Sequence, residues 1–161
     1  MVIDAPLPGI GDWPNIVRRP LLWRFDFRGP DEERLVQCRE RIHLYRFWDE
    51  LFANSKSIDE DTRRHFAALY ARPQAMHDAF EQFGSLRQNA ADNQALLVRG
   101  GEITMPVFAI GAEKFFGKTM ADHMQFAASN VTGGIVPNSG HWIVEENPQA
   151  TIKLVTDFLA K

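Results

Sequence analysis

The chain has 161 residues, 45% hydrophobic and 24% charged, with a formal net charge of -3. That suffices for one domain with a real core, and the slightly acidic balance carries no electrostatic footprint for nucleic acid or an anionic membrane surface. The single cysteine, Cys38, excludes an intrachain disulfide and a cysteine-rich zinc site, and the absence of a long apolar run or a basic-then-apolar leader predicts a soluble, cytoplasmic protein.

Met1 to Asp4 is a short apolar piece ending in an acid, and the prolines and glycine of residues 5–9 break any regular structure after it. It reads as the last residues of a strand, occupying residues 1–8. Residues 9–30 are an irregular segment holding Trp13, Trp23, Phe25 and Phe27, more aromatics than a polar surface loop carries. Asp31 is a candidate N-cap for a helix reaching to about residue 53, with Leu35, Cys38, Ile42, Tyr45, Trp48 and Phe52 on one face. That places Cys38 in the core.

Ser57-Ile58-Asp59-Glu60 matches a capping box and predicts a second helix with Phe66, Leu69 and Tyr70 inward. Pro73 is read as the first turn of a third helix, with Met76, Ala79, Phe80 and Phe83 as its stripe. A fourth carries Leu96 and Leu97 and closes at Gly100-Gly101. Residues 9–100 are therefore a helical region.

The pattern changes after Gly101. Met105 to Gly111 is a continuous apolar run of the kind found in a parallel strand buried on both faces. A helix over Lys118 to Ala128 follows, with Met120, Met124 and Ala127 inward, then a strand over Val131 to Val136. A loop holding His141 leads to a last helix opened by Asn147-Pro148, with Ile152, Val155 and Leu159 inward. Strand, helix, strand and helix in that order make residues 101–161 an α/β layer with a parallel sheet of two to three strands.

Two side chains stand at the C-terminal ends of predicted strands, where open α/β sheets place their sites: Asp4 and His141. An aspartate accepting the Nδ1 proton of a histidine fixes its tautomer and stabilises the imidazolium, which leaves the other nitrogen as a general base for water. The alternative for His141 is a structural histidine satisfied by its turn. Glu113, after the strand over 105–111, is a second candidate acid. Ser139 is read as part of the turn. Glu145 and Glu146 are read as favourable charges before the last helix, and His43, His65, His77 and His123 as surface or core residues without metal-ligand spacing. No phosphate-cradling glycine loop or dinucleotide fingerprint is present, and no cofactor or metal is expected.

Several segments resemble the α/β-hydrolase superfamily, in its epoxide hydrolase and haloacid or haloalkane dehalogenase branch. They are Ile3-Asp4-Ala5-Pro6-Leu7-Pro8, Trp23-Arg24-Phe25-Asp26-Phe27, Ala79-Phe80-Glu81-Gln82-Phe83, Met105 to Gly111, and above all Gly140-His141-Trp142-Ile143-Val144-Glu145-Glu146-Asn147-Pro148. The resemblance covers the whole chain but only the second half of such an enzyme, its helical cap and last strands. It implies a partial α/β-hydrolase fold with a helical cap, His141 as the water-activating base and Asp4 as its orienting acid. It further implies that Arg24, Trp23, Phe83 and Trp142 contact a small-molecule substrate.

The family forms a covalent ester on a nucleophilic aspartate at a strand-to-helix elbow, then hydrolyses it. By the resemblance that elbow and the oxyanion-hole loop precede Met1, and no Gly-x-Ser-x-Gly or Asp-centred equivalent occurs in these residues. The family's cap acids are a histidine where Arg24 stands and a tyrosine where Gln82 or Phe83 stands. Arginine is a poor proton donor near neutral pH, so these changes turn the reading from epoxide opening toward other carbon–heteroatom or ester hydrolysis. Arg24 is either a fixed cation for a carboxylate or halide, or a solvated or Asp26-paired side chain. An interrupted sheet with apolar faces also predicts association, either with a second copy or with a separate N-terminal half. The alternative to a hydrolase is a non-catalytic, self-associating or small-molecule-binding module.

Overall fold

The computed structural model describes residues 1–160. β1 (Val2–Ile3) is short and runs directly into Asp4, after which the prolines turn the chain away from the sheet. The aromatic segment is more ordered than its composition suggests. It contains α1 (Trp13–Ile16) and a 3-10 helix over Pro20–Phe25, both opened by a proline near their starts. Ile10, Ile16 and Leu22 from this segment are buried in the core.

The helix expected from residue 31 to 53 is two helices, α2 (Pro30–Val36) and α3 (Glu40–Leu51). Gln37 is extended and Cys38 takes a left-handed backbone, φ 62°, so the apolar periodicity does not run along one cylinder. Leu35, Cys38 and Ile42 are therefore exposed, not core, and Gly29 precedes the first turn where Asp31 was expected as cap. A 3-10 turn (Ser55–Ser57) precedes α4 (Glu60–Tyr70), whose N-cap is Asp59, accepting from the Thr62 amide at 2.7 Å. The N-cap thus sits two residues later than the Ser57 reading. Pro73 lies before α5 (Ala75–Gly84), not in its first turn, and α6 (Leu86–Gly100) follows after Ser85 alone. Within α6, Leu97 packs on the core while Leu96 is exposed.

β2 (Val107–Ala112) is buried at every position, as its unbroken apolar run requires. α7 (Thr119–Met124) buries Met120 and Met124, and β3 (Val131–Val136) pairs with β2 in parallel from Val107 opposite Val131 to Ala112 opposite Val136. β1 pairs with β2 on its other side, also parallel, with Ile3 opposite Ile110. Among the described residues the sheet is thus three parallel strands in the order β1-β2-β3. After α8 (Ile143–Glu146), α9 (Pro148–Leu159) is capped by the Asn147 side chain, as expected.

The strands alternate between two cores. Val107 and Ala109 face Ile10, Ile16, Leu22, Met120 and Met124, whereas Phe108, Ile110 and Ala112 face Val136, Ile143 and α9. On α9 the inward residues are Leu154, Val155 and Phe158, and Ile152 and Leu159 are exposed, one step around the helix from the predicted stripe. A third cluster, Leu44, Trp48, Phe52, Ile58 and Ala67, lies in the helical region, with Trp142 of the histidine loop packed against it. No helix among the described residues is long and apolar enough to cross a membrane.

One buried histidine makes stability pH-dependent. His123 on α7 is buried, its Nε2 lies 3.2 Å from the Leu7 carbonyl, and burial holds its pKa below the ordinary 6.5. The unfolded chain takes up that proton first, so stability is lost as pH falls below about 6.5. His43, depressed in the same way, adds to the loss, while the exposed His77, raised by its Glu33 partner, offsets part of it. The expected result is a melting temperature several degrees lower at pH 5 than at pH 7.5. In His123→Gln, whose amide can still donate to Leu7, that slope flattens. An unchanged slope in this variant would remove His123 as its source.

Candidate active site

The C-terminal ends of the three strands meet at one place. β1 delivers Asp4, β2 ends at Ala112 and Glu113, and β3 leads into the turn that carries Ser139, Gly140 and His141. Asp4 is 1% exposed and holds a left-handed backbone, φ 44°, a conformation that aspartate and asparagine tolerate better than other non-glycine residues. That twist leaves the Asp4 amide donating to the Ile110 carbonyl at 2.7 Å and turns the carboxylate back across the sheet end. Oδ1 accepts from the Ala112 amide at 2.8 Å, and Oδ2 lies 2.9 Å from Nδ1 of His141. Both oxygens are used, so the carboxylate is fixed.

A carboxylate only accepts, so the proton of this imidazole sits on Nδ1 and the lone pair on Nε2. Nε2 makes no hydrogen bond among the described residues, and the side chain is 24% exposed. Phe115 and Trp142 flank the ring at centroid distances of 5.1 and 5.5 Å. The result is a histidine of fixed tautomer and orientation with a free, accessible base nitrogen.

Glu113, the other candidate acid, faces the turn and not the imidazole. Its Oε2 accepts from the Asn138 amide at 2.7 Å, at a turn residue with φ 53°. Ser139 is fully buried and donates its hydroxyl to the Val136 carbonyl at 2.8 Å, which is turn chemistry. Glu146 does more than favour the last helix. Its two oxygens accept from the Gly140 amide at 2.6 Å and from the Asn54 amide at 2.9 Å, which ties the histidine loop to the exit of α3. The His141 amide adds a bond to the Leu51 carbonyl at 2.8 Å. The spacing of Glu146 from His141 gives no hint of this, because its second partner lies 92 residues away.

A separate cavity of about 220 Å³ opens in the helical region, lined by Phe47, Phe52, Phe80, Phe83, Trp142 and Arg24 among others. It does not include His141. Of the expected substrate contacts, Arg24, Phe83 and Trp142 line it and Trp23 does not. Trp23 instead donates Nε1–H to Glu50 at 2.5 Å and carries the Arg46 guanidinium over its ring.

Arg24 is neither solvated nor paired with Asp26. It is 5% exposed, with Nη1 donating to the Leu21 carbonyl at 3.0 Å and no carboxylate within ion-pair distance among the described residues. Its guanidinium lies over Phe47 at 4.7 Å and Phe25 at 5.4 Å. Burial lowers its pKa from the ordinary 12.5 to about 10, with Glu50 opposing the shift, so it remains charged at neutral pH. His43 also lines the cavity, ringed by Trp23, Phe27, Phe47 and Phe80, and burial together with Arg46 keeps it neutral to lower pH. Expected only as a surface or core residue, it is a wall of this cavity. Its position one helical turn before Phe47 is the signal that could have placed it there.

No family model matches the chain. The soluble epoxide hydrolase of Corynebacterium sp. (strain C12) is 38% identical over 129 residues, which are 78% of this chain and 44% of that protein. Cfl2 from Burkholderia cenocepacia superposes with a TM-score of 0.85 at 26% identity, over 97% of this chain and 55% of that one. The Cif epoxide hydrolase from Acinetobacter nosocomialis gives 0.86 at 22% identity, over 98% and 52%. ALR0039 of Nostoc sp PCC 7120, assigned to the alpha/beta hydrolases, gives 0.81 at 15% identity, over 98% and 56%. The chain carries part of the α/β-hydrolase fold. Within it, the likeness is to the C-terminal half of the epoxide hydrolase branch, and the chain spans about half the length of the relatives it matches.

Proposed function

We propose that this chain supplies the cap and the water-activating pair of a hydrolase whose nucleophile is carried by a different segment. The observation that carries the reading is the Asp4–His141 pair at the strand ends, with Nδ1 held at 2.9 Å and Nε2 left free. In the proposed reaction the nucleophile first displaces a leaving group from carbon and forms an ester. Nε2 of His141 then takes a proton from water as the water oxygen attacks the ester carbonyl, and Asp4 stabilises the imidazolium. Arginine at position 24 and glutamine and phenylalanine at 82 and 83 stand where the resemblance expects the acids that open an epoxide. The reading therefore favours a carbon–halogen or ester bond.

A second reading is a small-molecule-binding module without turnover. It is favoured by the cavity, which is built wholly within the helical region and the Trp142 loop and does not reach His141. One experiment separates the two. The chain is mixed with the N-terminal half of the Corynebacterium soluble epoxide hydrolase and assayed on an aryl ester, a haloacid and styrene oxide. Turnover is expected in the mixture, and His141→Ala should lower it by about 10³-fold or more. Turnover untouched by His141→Ala would take this histidine out of the mechanism, and no turnover with any substrate would leave the binding module as the better reading.

A further inference from the structure

We propose that the cavity of the helical region is a binding site for a small aromatic or aliphatic monocarboxylate, with Arg24 as its countercharge. The walls are apolar and aromatic, and the charge buried among them is unmatched. One of the five guanidinium N–H donors of Arg24 is committed, to the Leu21 carbonyl. The remaining donors meet no carboxylate among the described residues.

Of the two nearby acids, Glu50 is otherwise engaged and Glu145 stands at the solvent-exposed side. Glu50, which acts on Arg24 through its field, is bonded to Trp23 Nε1 at 2.5 Å and to Arg46 Nε at 2.7 Å. Glu145 is an exposed residue of the cavity lining. An isolated buried cation is costly, and proteins keep one where a ligand or partner neutralises it.

A second observation points the same way. The indole N–H of Trp142, another wall residue, is the one buried side-chain polar atom without a hydrogen-bond partner among the described residues. A buried donor left unmade is unfavourable unless something occupies it. A guanidinium presents donors only, and a carboxylate is acceptor-only, with two oxygens to offer it. A cavity of about 220 Å³ holds roughly seven waters, or on the order of ten non-hydrogen atoms, the size of phenylacetate or octanoate. The ring faces of Phe47, Phe80 and Phe83 suit the aromatic ligand.

As the substrate class of the hydrolase proposed above, this assignment rests on that reading. As a binding site it is measured without turnover, so the two fail separately. Calorimetric titration of the 161-residue chain with phenylacetate, in chloride-free buffer, is expected to give a Kd on the order of 0.1–1 mM. The neutral isostere phenylacetamide should bind at least about 10-fold more weakly. Arg24→Met, which keeps the length and apolar stem, should weaken phenylacetate to the level of the amide. It should at the same time melt at the same temperature as the parent or higher, because an unpaired buried charge has been removed. Equal affinity for acid and amide, retained binding in Arg24→Met, or no binding of either ligand would each overturn the proposal. A lower melting temperature in Arg24→Met would also count against it, because it would assign Arg24 to holding the fold.

Discussion

Replacing Asp4 with asparagine is expected to leave the fold standing and to take the base away from His141. Asparagine is the residue best able to keep the left-handed backbone at φ 44°, and its carbonyl oxygen can still accept from the Ala112 amide. Its amide nitrogen then occupies the place of Oδ2, 2.9 Å from Nδ1 of His141. An N–H facing an N–H is repulsive, so the imidazole moves its proton to Nε2 and Nδ1 becomes the acceptor. Nε2 has then lost the lone pair that water needs. For the corresponding change in a serine protease triad, the loss with geometry intact is about 10⁴-fold in kcat. A loss of that order is expected in the complemented assay, with a melting temperature within a few degrees of the parent. The tautomer can be read without any activity, from the nitrogen resonances of the imidazole. If Nε2 stays unprotonated in Asp4→Asn, Asp4 is not the group that fixes this ring.

The elements that were legible in the sequence are those whose signal is local. The apolar run read at 105–111 is a strand buried at every position over 107–112, with Met105 exposed before it, and the Asn147-Pro148 pair begins a helix as expected. The end of α2 was not legible. Leu35, Cys38 and Ile42 keep perfect helical spacing across a break that depends on the left-handed backbone of Cys38, which no periodicity reports. The α9 stripe erred for a related reason. Ile152 and Leu159 are apolar and exposed, and apolar spacing does not say which of two adjacent faces meets the sheet.

In the candidate site, Asp4 and His141 were placed by one rule, that open α/β sheets put their chemistry at the C-terminal strand ends. The same rule left Glu113 open as the acid, because it ends the neighbouring strand. What separates them is the turn at Asn138, whose amide takes the Glu113 carboxylate. The burial of Arg24, the neutral His43 beside it and the Glu146 tie all arise from contacts between distant segments. Only His43, one helical turn before Phe47, has a sequence spacing to betray it.

Gly140→Ala is expected to be among the most damaging single-methyl changes in the chain. The exit of α3 passes directly over Gly140. A Cβ there would press into the Leu51 carbonyl oxygen, and would lie 2.5 Å from the Ala53 nitrogen and 2.8 Å from the Phe52 carbonyl carbon. All three are backbone atoms, so no side chain can swing aside, and the helical region must lift off the histidine loop. Lifting it strains or breaks the His141 to Leu51 bond and the two bonds to Glu146. Overpacking of about 1–3 kcal/mol and about 1 kcal/mol for each of the three bonds lost sum to roughly 4–6 kcal/mol. In a domain of this size that is a fall of about 10 °C or more in melting temperature. Gly100→Ala is the matched control, since nothing lies within 4 Å of its added methyl and the residue ends a helix. That change should be neutral or slightly stabilising. Amide exchange sharpens the test, because a lifted segment exposes the amides of His141 and Asn54 while those of β2 stay protected. A Gly140→Ala protein that melts within 2 °C or so of the parent, with both amides still protected, would mean that the helical region is not seated on the histidine loop, and that Asp4 alone holds the imidazole in place.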